Sequence, residues 1–471
     1  MKPMSPFALA YAACAVAAFF AAGCSHDSSA DTSPVANGSN DASSPSGTAT
    51  TPDASPVSTP DASRTATADA GATGGGSPHD ASSGAADTGA APDGAAPPPA
   101  AMIDAASLGP CTPPPMASVN DAIAAYAKWK NDLLTTSGAR GFVRVLRPDS
   151  PGEIDTSNSE GTAYGMLLAA AMNDPATFDG LWNYSQLFLD SNGLMNWEID
   201  PNGDGPTSEG SGAATDADED MAYALLWADA RWGGKGTLST SYHDLAVKQI
   251  NAVWSAEVDH TRNDAIAPGD QFGGASIVDI SYFAPSYYRL FATASGQSGW
   301  NNAVDTSYTI IAASLSTANG NATNGLVPAW CTPSGELQAP SGKPTNYQLD
   351  SCRTPFRIAE DYCFSNEPRA KAYLEKISAF YTSVGAANIV DGYDLNGTPD
   401  PSHTTVHQSA AFVGPAAVGA MSDPAFDTLR NQAYEGVATL MELDGTTYYT
   451  ESWTALSLVM LTGGFWNPSQ P

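Results

Sequence analysis

The sequence predicts an all-α fold of about twelve helices, led by a long stretch that does not fold. Two observations carry this. From residue 109 onward apolar side chains recur at helical spacing, while the period-two alternation of half-buried strands is sparse. Before that point the chain is Ala, Ser, Thr, Gly, Pro and Asp, with almost no large apolar side chain to bury. The predicted helices are even in number, of medium length and joined by long loops on one side. They suit pairs closing into a ring, although periodicity alone does not separate a ring from an open helical array.

Of the 471 residues, 1–23 read as an export signal, with Lys2 near the start and an apolar run over 7–22. The run is too short and too soon interrupted to span a membrane. It ends Phe20-Ala21-Ala22-Gly23-Cys24, which resembles a bacterial lipobox with Ala21 in place of the usual Leu. On that reading Cys24 becomes a lipidated N-terminus. Ser25 after it, in place of Asp, resembles the pattern of an outer-membrane destination. Simple cleavage and free secretion is the alternative. Residues 24–108 form a disordered tether, because they bury too little surface to offset their ordering entropy. The folded part is 109–471, expected to act as a monomer.

The net charge is −31. Nothing in such a surface neutralises phosphates, which argues against a nucleic-acid partner. It suits an exported protein acting on a neutral or cationic substrate, and equally plain solubility. Cys14 leaves with the signal and Cys24 is taken by lipid. Cys111, Cys331, Cys352 and Cys363 remain, and an even number in an oxidising compartment predicts two disulfides. Cys352 and Cys363, if on one helix, stand too far apart to bond each other, so each is expected to pair with Cys331 or Cys111. A zinc site would need close CxxC spacing and His partners. No metal or other cofactor is required.

The helices follow in order. Residues 119–134 are amphipathic, with Ile123, Tyr126 and Trp129 roughly on one face. The second helix begins at Ser159-Glu160-Gly161, with Ser159 as candidate cap and the apolar run Leu167 to Met172 behind it. Asn173-Asp174-Pro175 stops it and starts the third, capped by Asp174 with Pro175 in the first turn, carrying Phe178, Leu181, Trp182, Leu187 and Phe188. A long loop over 190–214 holds Trp197 and Asp200-Pro201-Asn202-Gly203-Asp204-Gly205. Those six match the first half of a calcium loop, but position twelve is Ser211 instead of Glu, so a Gly/Asn/Asp turn is the better reading. A helix over 216–232 opens on Asp216, Asp218, Glu219 and Asp220 and stops at Gly233-Gly234. Further helices are predicted at 240–257, 280–294, 299–315, 354–364, 367–382, 405–420, 423–441 and 447–461.

Three groups of acids sit in loops or at helix mouths. Glu160 lies between Ser and Gly at a helix start, where the bland reading is a carboxylate favoured by the helix dipole. Asp216 suits an N-cap, and Asp218 to Asp220 suit the dipole. Asp350 precedes Arg353-Thr354-Pro355; Pro355 opens the next helix, so Asp350 falls in the loop before it, with a salt bridge to Arg353 as its bland reading. Aromatics accompany them: Trp197, Phe272, Tyr282, Tyr287, Tyr288, Trp330, Tyr347, Tyr448, Tyr449 and Trp453. Most aromatics are core, but Trp197 and Phe272 sit in Gly- and Asp-rich loops and are better candidates for exposed platforms that stack on sugar rings. Carboxylates with loop aromatics are what glycosidic cleavage needs. A protonated acid serves the leaving oxygen, an ionised carboxylate activates water or attacks carbon, and flat faces hold the rings.

These residues carry a resemblance. Ala214-Thr215-Asp216-Ala217-Asp218-Glu219-Asp220-Met221-Ala222-Tyr223, running on to Trp232, is similar to the signature segment of glycoside hydrolase family 8. Ser159-Glu160-Gly161 with Tyr164-Gly165-Met166 resembles that family's acid motif. Ser281-Tyr282-Phe283-Ala284-Pro285, Gly325-Leu326-Val327-Pro328 with Trp330, and Asp350 with Arg353-Thr354-Pro355-Phe356-Arg357 resemble the remaining motifs, in the family's order. The likeness covers about 115–465. Phe356 stands where the family usually has Trp, and Asp279-Ile280 where Asn-Pro is common, which touches subsite detail.

The resemblance implies an (α/α)6 barrel and inverting hydrolysis of β-1,4-glycans, β-1,4-glucan first, with xylan and chitosan as alternatives. By motif match Glu160 is the general acid, Asp350 the general base, and Asp216 binds the sugar at the cleavage point. Arg353 is expected to orient Asp350, and Tyr282 and Trp197 to line the cleft. One physical constraint follows. The dipole at its helix mouth favours ionised Glu160, which is wrong for an acid. A neighbouring Asp216 carboxylate and exclusion of water must raise its pKa instead. Inversion also requires the Glu160 and Asp350 carboxyls to stand roughly 6.5–9.5 Å apart, leaving room for water. Two other classes are weighed: a non-catalytic glycan-binding protein, against which all three acids speak, and a polysaccharide lyase, against which the missing basic cluster speaks.

Overall fold

A helix that is apolar on every side must be surrounded on every side. That rule sorts the helices of this chain into two layers. The computed structural model describes residues 108–148, 154–441 and 446–469; the expected export signal, Cys24 and nearly all of the expected tether lie outside them. In chain order the helices are α1 (Val119–Leu133), α2 (Ser159–Ala171), α3 (Pro175–Ser185), α4 (Thr215–Trp232), α5 (Tyr242–Ala256), α6 (Pro285–Ser295), α7 (Trp300–Ser314), α8 (Leu349–Cys352), α9 (Thr354–Ser365), α10 (Pro368–Val384), α11 (Ala410–Gly419), α12 (Asp427–Leu440) and α13 (Tyr448–Leu461).

Apart from the single turn α8, these alternate between an outer and an inner layer. The inner ring is α2, α4, α6, α9, α11 and α13. Along α11 every residue is buried, and along α2 every residue except Glu160. Outer helices bury one stripe: in α1 it is Ala122, Ala125, Tyr126, Trp129 and Leu133. The ring closes where α13 packs against both α1 and α2. This is the expected (α/α)6 barrel.

Close approach within the ring depends on small residues. A Cβ on Gly165 would lie 2.7 Å from both Trp129 of α1 and Leu181 of α3, so α2 is wedged between them only as glycine. Polar side chains bolt the seams. Arg357 of α9 donates Nη2 to Asp220 Oδ2 of α4 at 2.7 Å and Nη1 to the Tyr287 hydroxyl of α6 at 2.9 Å. Tyr287 stacks on Tyr223 of α4 with ring centroids 3.9 Å apart.

Four short antiparallel strand pairs shape the connecting loops. They are β1 (Leu134–Thr135) with β2 (Arg144–Val145), β3 (Ser157–Asn158) with β4 (Glu198–Ile199), β5 (Val258–Asp259) with β6 (Ala265–Ile266), and β7 (Val278–Asp279) with β8 (Trp330–Cys331).

Several local expectations are corrected, each by tertiary contact. The cap of α2 is Asn158, held extended by the β3–β4 pair; its Oδ1 accepts from the Gly161 N–H at 2.9 Å, and Ser159 is already helical. Ala214 occupies the cap position of α4 and Asp216 is its second residue. Asp218, Glu219 and Asp220 are fully buried because α4 belongs to the inner ring. Asp350 lies in the turn α8, whose cap Gln348 accepts from the Asp350 N–H at 3.1 Å. The segment 280–282 is a 3-10 turn ahead of α6, and 405–409 is non-helical ahead of α11. α3 stops at Ser185, short of Leu187 and Phe188. Asp200 ties its own loop, accepting from the N–H groups of Asn202, Asp204 and Gly205 at 2.8 Å each. Of the two expected disulfides one forms, Cys111–Cys363, joining the segment before α1 to α9. Cys331 and Cys352 are reduced and buried. Cys352 ends α8, not α9, and its thiol faces the Tyr449 hydroxyl at 3.4 Å.

Candidate active site

Glu160 is the one residue through which the buried helix α2 meets solvent. Its Oε1 accepts from the Tyr164 hydroxyl, one turn along, at 2.9 Å, and from Arg353 Nη1. Its Oε2 accepts from the Tyr448 hydroxyl at 2.8 Å. Burial pushes its pKa up, Arg353 pulls it down, the Asp216 charge raises it and Tyr448 lowers it; the outcome is about 7. Burial and Asp216 outweigh Arg353 and Tyr448, the direction a proton donor needs.

Asp216 is buried beside Glu160, and its charge raises the Glu160 pKa. Its Oδ2 accepts from Arg353 Nη1 at 2.5 Å, while its Oδ1 is buried and has no donor among the described residues. Arg353 therefore binds the Glu160 and Asp216 carboxyls together. Its other contacts are Ser281 Oγ at 3.0 Å, the Tyr164 hydroxyl at 3.2 Å and Asp279 Oδ2 at 3.8 Å, and its guanidinium lies 5.0 Å from the Tyr282 ring centre. The sequence reading gave Arg353 to Asp350 as its orienting partner; its hydrogen bonds go to the other two acids, and Asp350 feels only its charge.

The Asp350 carboxylate is held from one side. Its Oδ2 accepts from Trp330 Nε1 at 3.1 Å and Gln348 Nε2 at 3.2 Å, with Lys343 Nζ at 4.0 Å. No donor among the described residues reaches Oδ1. Burial alone would raise its pKa, but Lys343, Arg353, Gln348 and Trp330 outweigh that and hold it below the usual carboxylate range.

The aromatic candidates gather around the acids. Tyr282 lies under Arg353. Trp197 is half-buried in the loop before β4; its carbonyl accepts from the Ser159 N–H at 2.9 Å, next to Glu160, and its Nε1 is fixed on the Glu209 carbonyl at 2.7 Å. Phe272 is exposed and stacks parallel to Trp330, 6.4 Å between centres. Each acid thus has a flat ring close by: Trp197 is bonded to the residue before Glu160, Tyr282 lies by the guanidinium that holds Glu160 and Asp216, and Phe272 stacks on the Trp330 that donates to Asp350. Acids with flat rings beside them are the equipment for cutting a glycosidic bond. Among the described residues no cluster of His, Cys, Asp and Glu is arranged to hold a metal ion.

The family profile described as "Glycosyl hydrolases family 8" matches residues 115–463. Endoglucanase A of Acetivibrio thermocellus is 38% identical over 347 residues, 73% of this chain and 69% of that one. The chain belongs to glycoside hydrolase family 8. Endoglucanase 2 of Ruminiclostridium josui is 37% identical over 342 residues, covering 73% and 71% of the two chains. Among solved structures, the apo β-1,3-1,4-glucanase of Paenibacillus sp. X4 superposes with a TM-score of 0.68 at 28% identity, over 76% of this chain and 96% of that one.

As a family 8 glycoside hydrolase the chain brings together residues whose partners its sequence patterns did not show. Tyr164 and Tyr448 hold Glu160; Trp330 and Gln348 hold Asp350, with Lys343 as a nearby charge. Tyr164 and Trp330 were visible within motifs and Tyr448 as one of the aromatics. Their roles were not, since an indole N–H finding a carboxylate 20 residues away is a property of the β7–β8 pair. Gln348 had a usable signal, its place two residues before Asp350 as the cap of α8. Lys343 had none.

Proposed function

We propose that this enzyme cleaves β-1,4-glucan chains internally, with inversion at the anomeric carbon. The observation that carries the reading is the divergence of two carboxyls that both feel Arg353. Glu160 is kept protonated up to about pH 7, while Asp350 is kept ionised. Glu160 delivers its proton to the glycosidic oxygen as the bond to the anomeric carbon breaks. Asp350, through its unengaged Oδ1, takes a proton from the water that attacks that carbon from the opposite face. Asp216 binds a hydroxyl of the sugar at the cleavage point and supports its distortion. Trp197, Phe272 and Tyr282 form the walls against which the rings lie.

The choice of glucan is supported by the similar proteins named endoglucanase and by the similar structure of a β-1,3-1,4-glucanase. The signal-like and lipobox-like segment supports an exported enzyme anchored to the outer membrane by lipid on Cys24. The deciding experiment compares products from carboxymethylcellulose, mixed-linkage glucan, xylan and chitosan, with the first-formed anomer followed by NMR. The α-anomer from glucan is expected. A β-anomer at early times would refute inversion, and release from xylan or chitosan alone would move the substrate.

A further inference from the structure

Lys343 lies outside every family motif recognised in the sequence, in the loop between β8 and α8. Its Nζ stands 4.0 Å from Asp350 Oδ2 and 5.3 Å from the centre of the Trp330 ring. Trp330 in turn donates to that same oxygen. A cation held on an indole face is attracted by the ring and by the carboxylate together. Among the described residues three groups thus converge on Oδ2 and none on Oδ1.

We propose that Lys343 is a positioning residue for the general base: with Trp330 and Gln348 it fixes Asp350 through Oδ2, so that Oδ1 alone meets the attacking water in ionised form. This rests on the reading of Asp350 as the base. A carboxylate free to rotate would present either oxygen, and a protonated one could not take the proton. Lys343 addresses both needs from one side.

The other charged and titratable groups around Asp350 do not replace it. Arg353 shares its favourable sign but is bonded to Glu160 and Asp216. Asp279, Tyr282 and Cys352 face Asp350 from β7, the turn after it and α8; of these Asp279 is a buried carboxyl pushed strongly towards its neutral form, and burial raises Tyr282 and Cys352 as well. Lys343 also borders a cavity of about 600 Å³ with Asp394, Asp400 and His403. There Asp400 is already engaged by His403 at 2.7 Å and Asn346 at 2.8 Å. Because the Lys343 side chain is 37% exposed, solvent weakens its pull, and a modest effect is expected.

The test is kcat and KM against pH, at low and high salt, for wild type, Lys343→Met, Lys343→Arg and Asp350→Asn, with Tm measured for each. In Lys343→Met the acid limb of kcat/KM should move up by a few tenths to about one pH unit. Its kcat on the plateau should fall several-fold while KM changes little. Lys343→Arg should restore the wild-type limb. Salt should raise the limb of wild type more than that of Lys343→Met. A limb that stays put in Lys343→Met at wild-type Tm overturns the proposal, as does an equal displacement in Lys343→Arg. Failure of the underlying reading looks different: Asp350→Asn would then keep its turnover and the same acid limb, whatever Lys343 does.

Discussion

The Tyr448 hydroxyl donates to Oε2 of Glu160 at 2.8 Å, joining the first turn of α13 to the first turn of α2 across 288 residues of sequence. This is the point at which the helical ring closes, so closure of the fold and completion of the acid's surroundings are one event. The bond favours ionised Glu160 and so lowers its pKa. Tyr448→Phe removes it. On the proposed mechanism Glu160 acts while protonated, so activity should be lost as pH rises through its pKa near 7. In Tyr448→Phe that alkaline limb should move up by about one pH unit, seen in kcat/KM against pH.

Glu160 and Asp350 differ in what their loss should do. Glu160→Gln should lower kcat by about 10²–10⁴-fold and erase the alkaline limb, while oligosaccharide binding measured by calorimetry persists. Asp350→Asn should lower kcat on a similar scale and erase the acid limb. Loss of folding in either variant, read by circular dichroism, would favour a structural role instead. A complex with bound oligosaccharide should show the two carboxyls roughly 6.5–9.5 Å apart with a water between Asp350 and the anomeric carbon.

Phe272 is exposed and its ring lies parallel to Trp330, so its loss leaves no cavity in the core. Phe272→Ala should leave Tm within about 2 °C of wild type. It should weaken substrate binding by about three- to tenfold, from an aromatic contact worth about 0.5–1.5 kcal/mol. Unchanged KM on long and short glucans would remove Phe272 from the cleft walls.

The Cys111–Cys363 bond closes a loop across 252 residues, tying the segment before α1 to an inner helix. Replacing both cysteines by serine should lower stability by about 2–5 kcal/mol, read as a drop in Tm that reductant reproduces in wild type. Cys331 and Cys352 are free, so labelling of the denatured, unreduced protein should find those two thiols on the folded domain.

Much of the fold was legible in the sequence, because helix spacing is local. The alternation of all-buried helices such as α11 with one-striped helices such as α1 is written in which residues are apolar. The sequence motifs marked Glu160 and Asp216 at helix mouths and Asp350 in a loop as candidates, and the structure brings Glu160 and Asp216 onto one guanidinium. What local pattern could not decide was anything set by a distant neighbour. The cap of α2 moved by one residue because β4 pairs with β3. Asp218, Glu219 and Asp220 look like a solvated first turn and are buried because α4 is an inner helix. The partners of Arg353 and the pairing of Cys363 with Cys111 join residues remote in sequence, and the Trp330 donor on Oδ2 of Asp350 comes from a strand 20 residues back. Above all, the sequence places Glu160 where its own helix dipole favours the charged form, while desolvation and Asp216, which act only once the barrel has closed, push its pKa the other way.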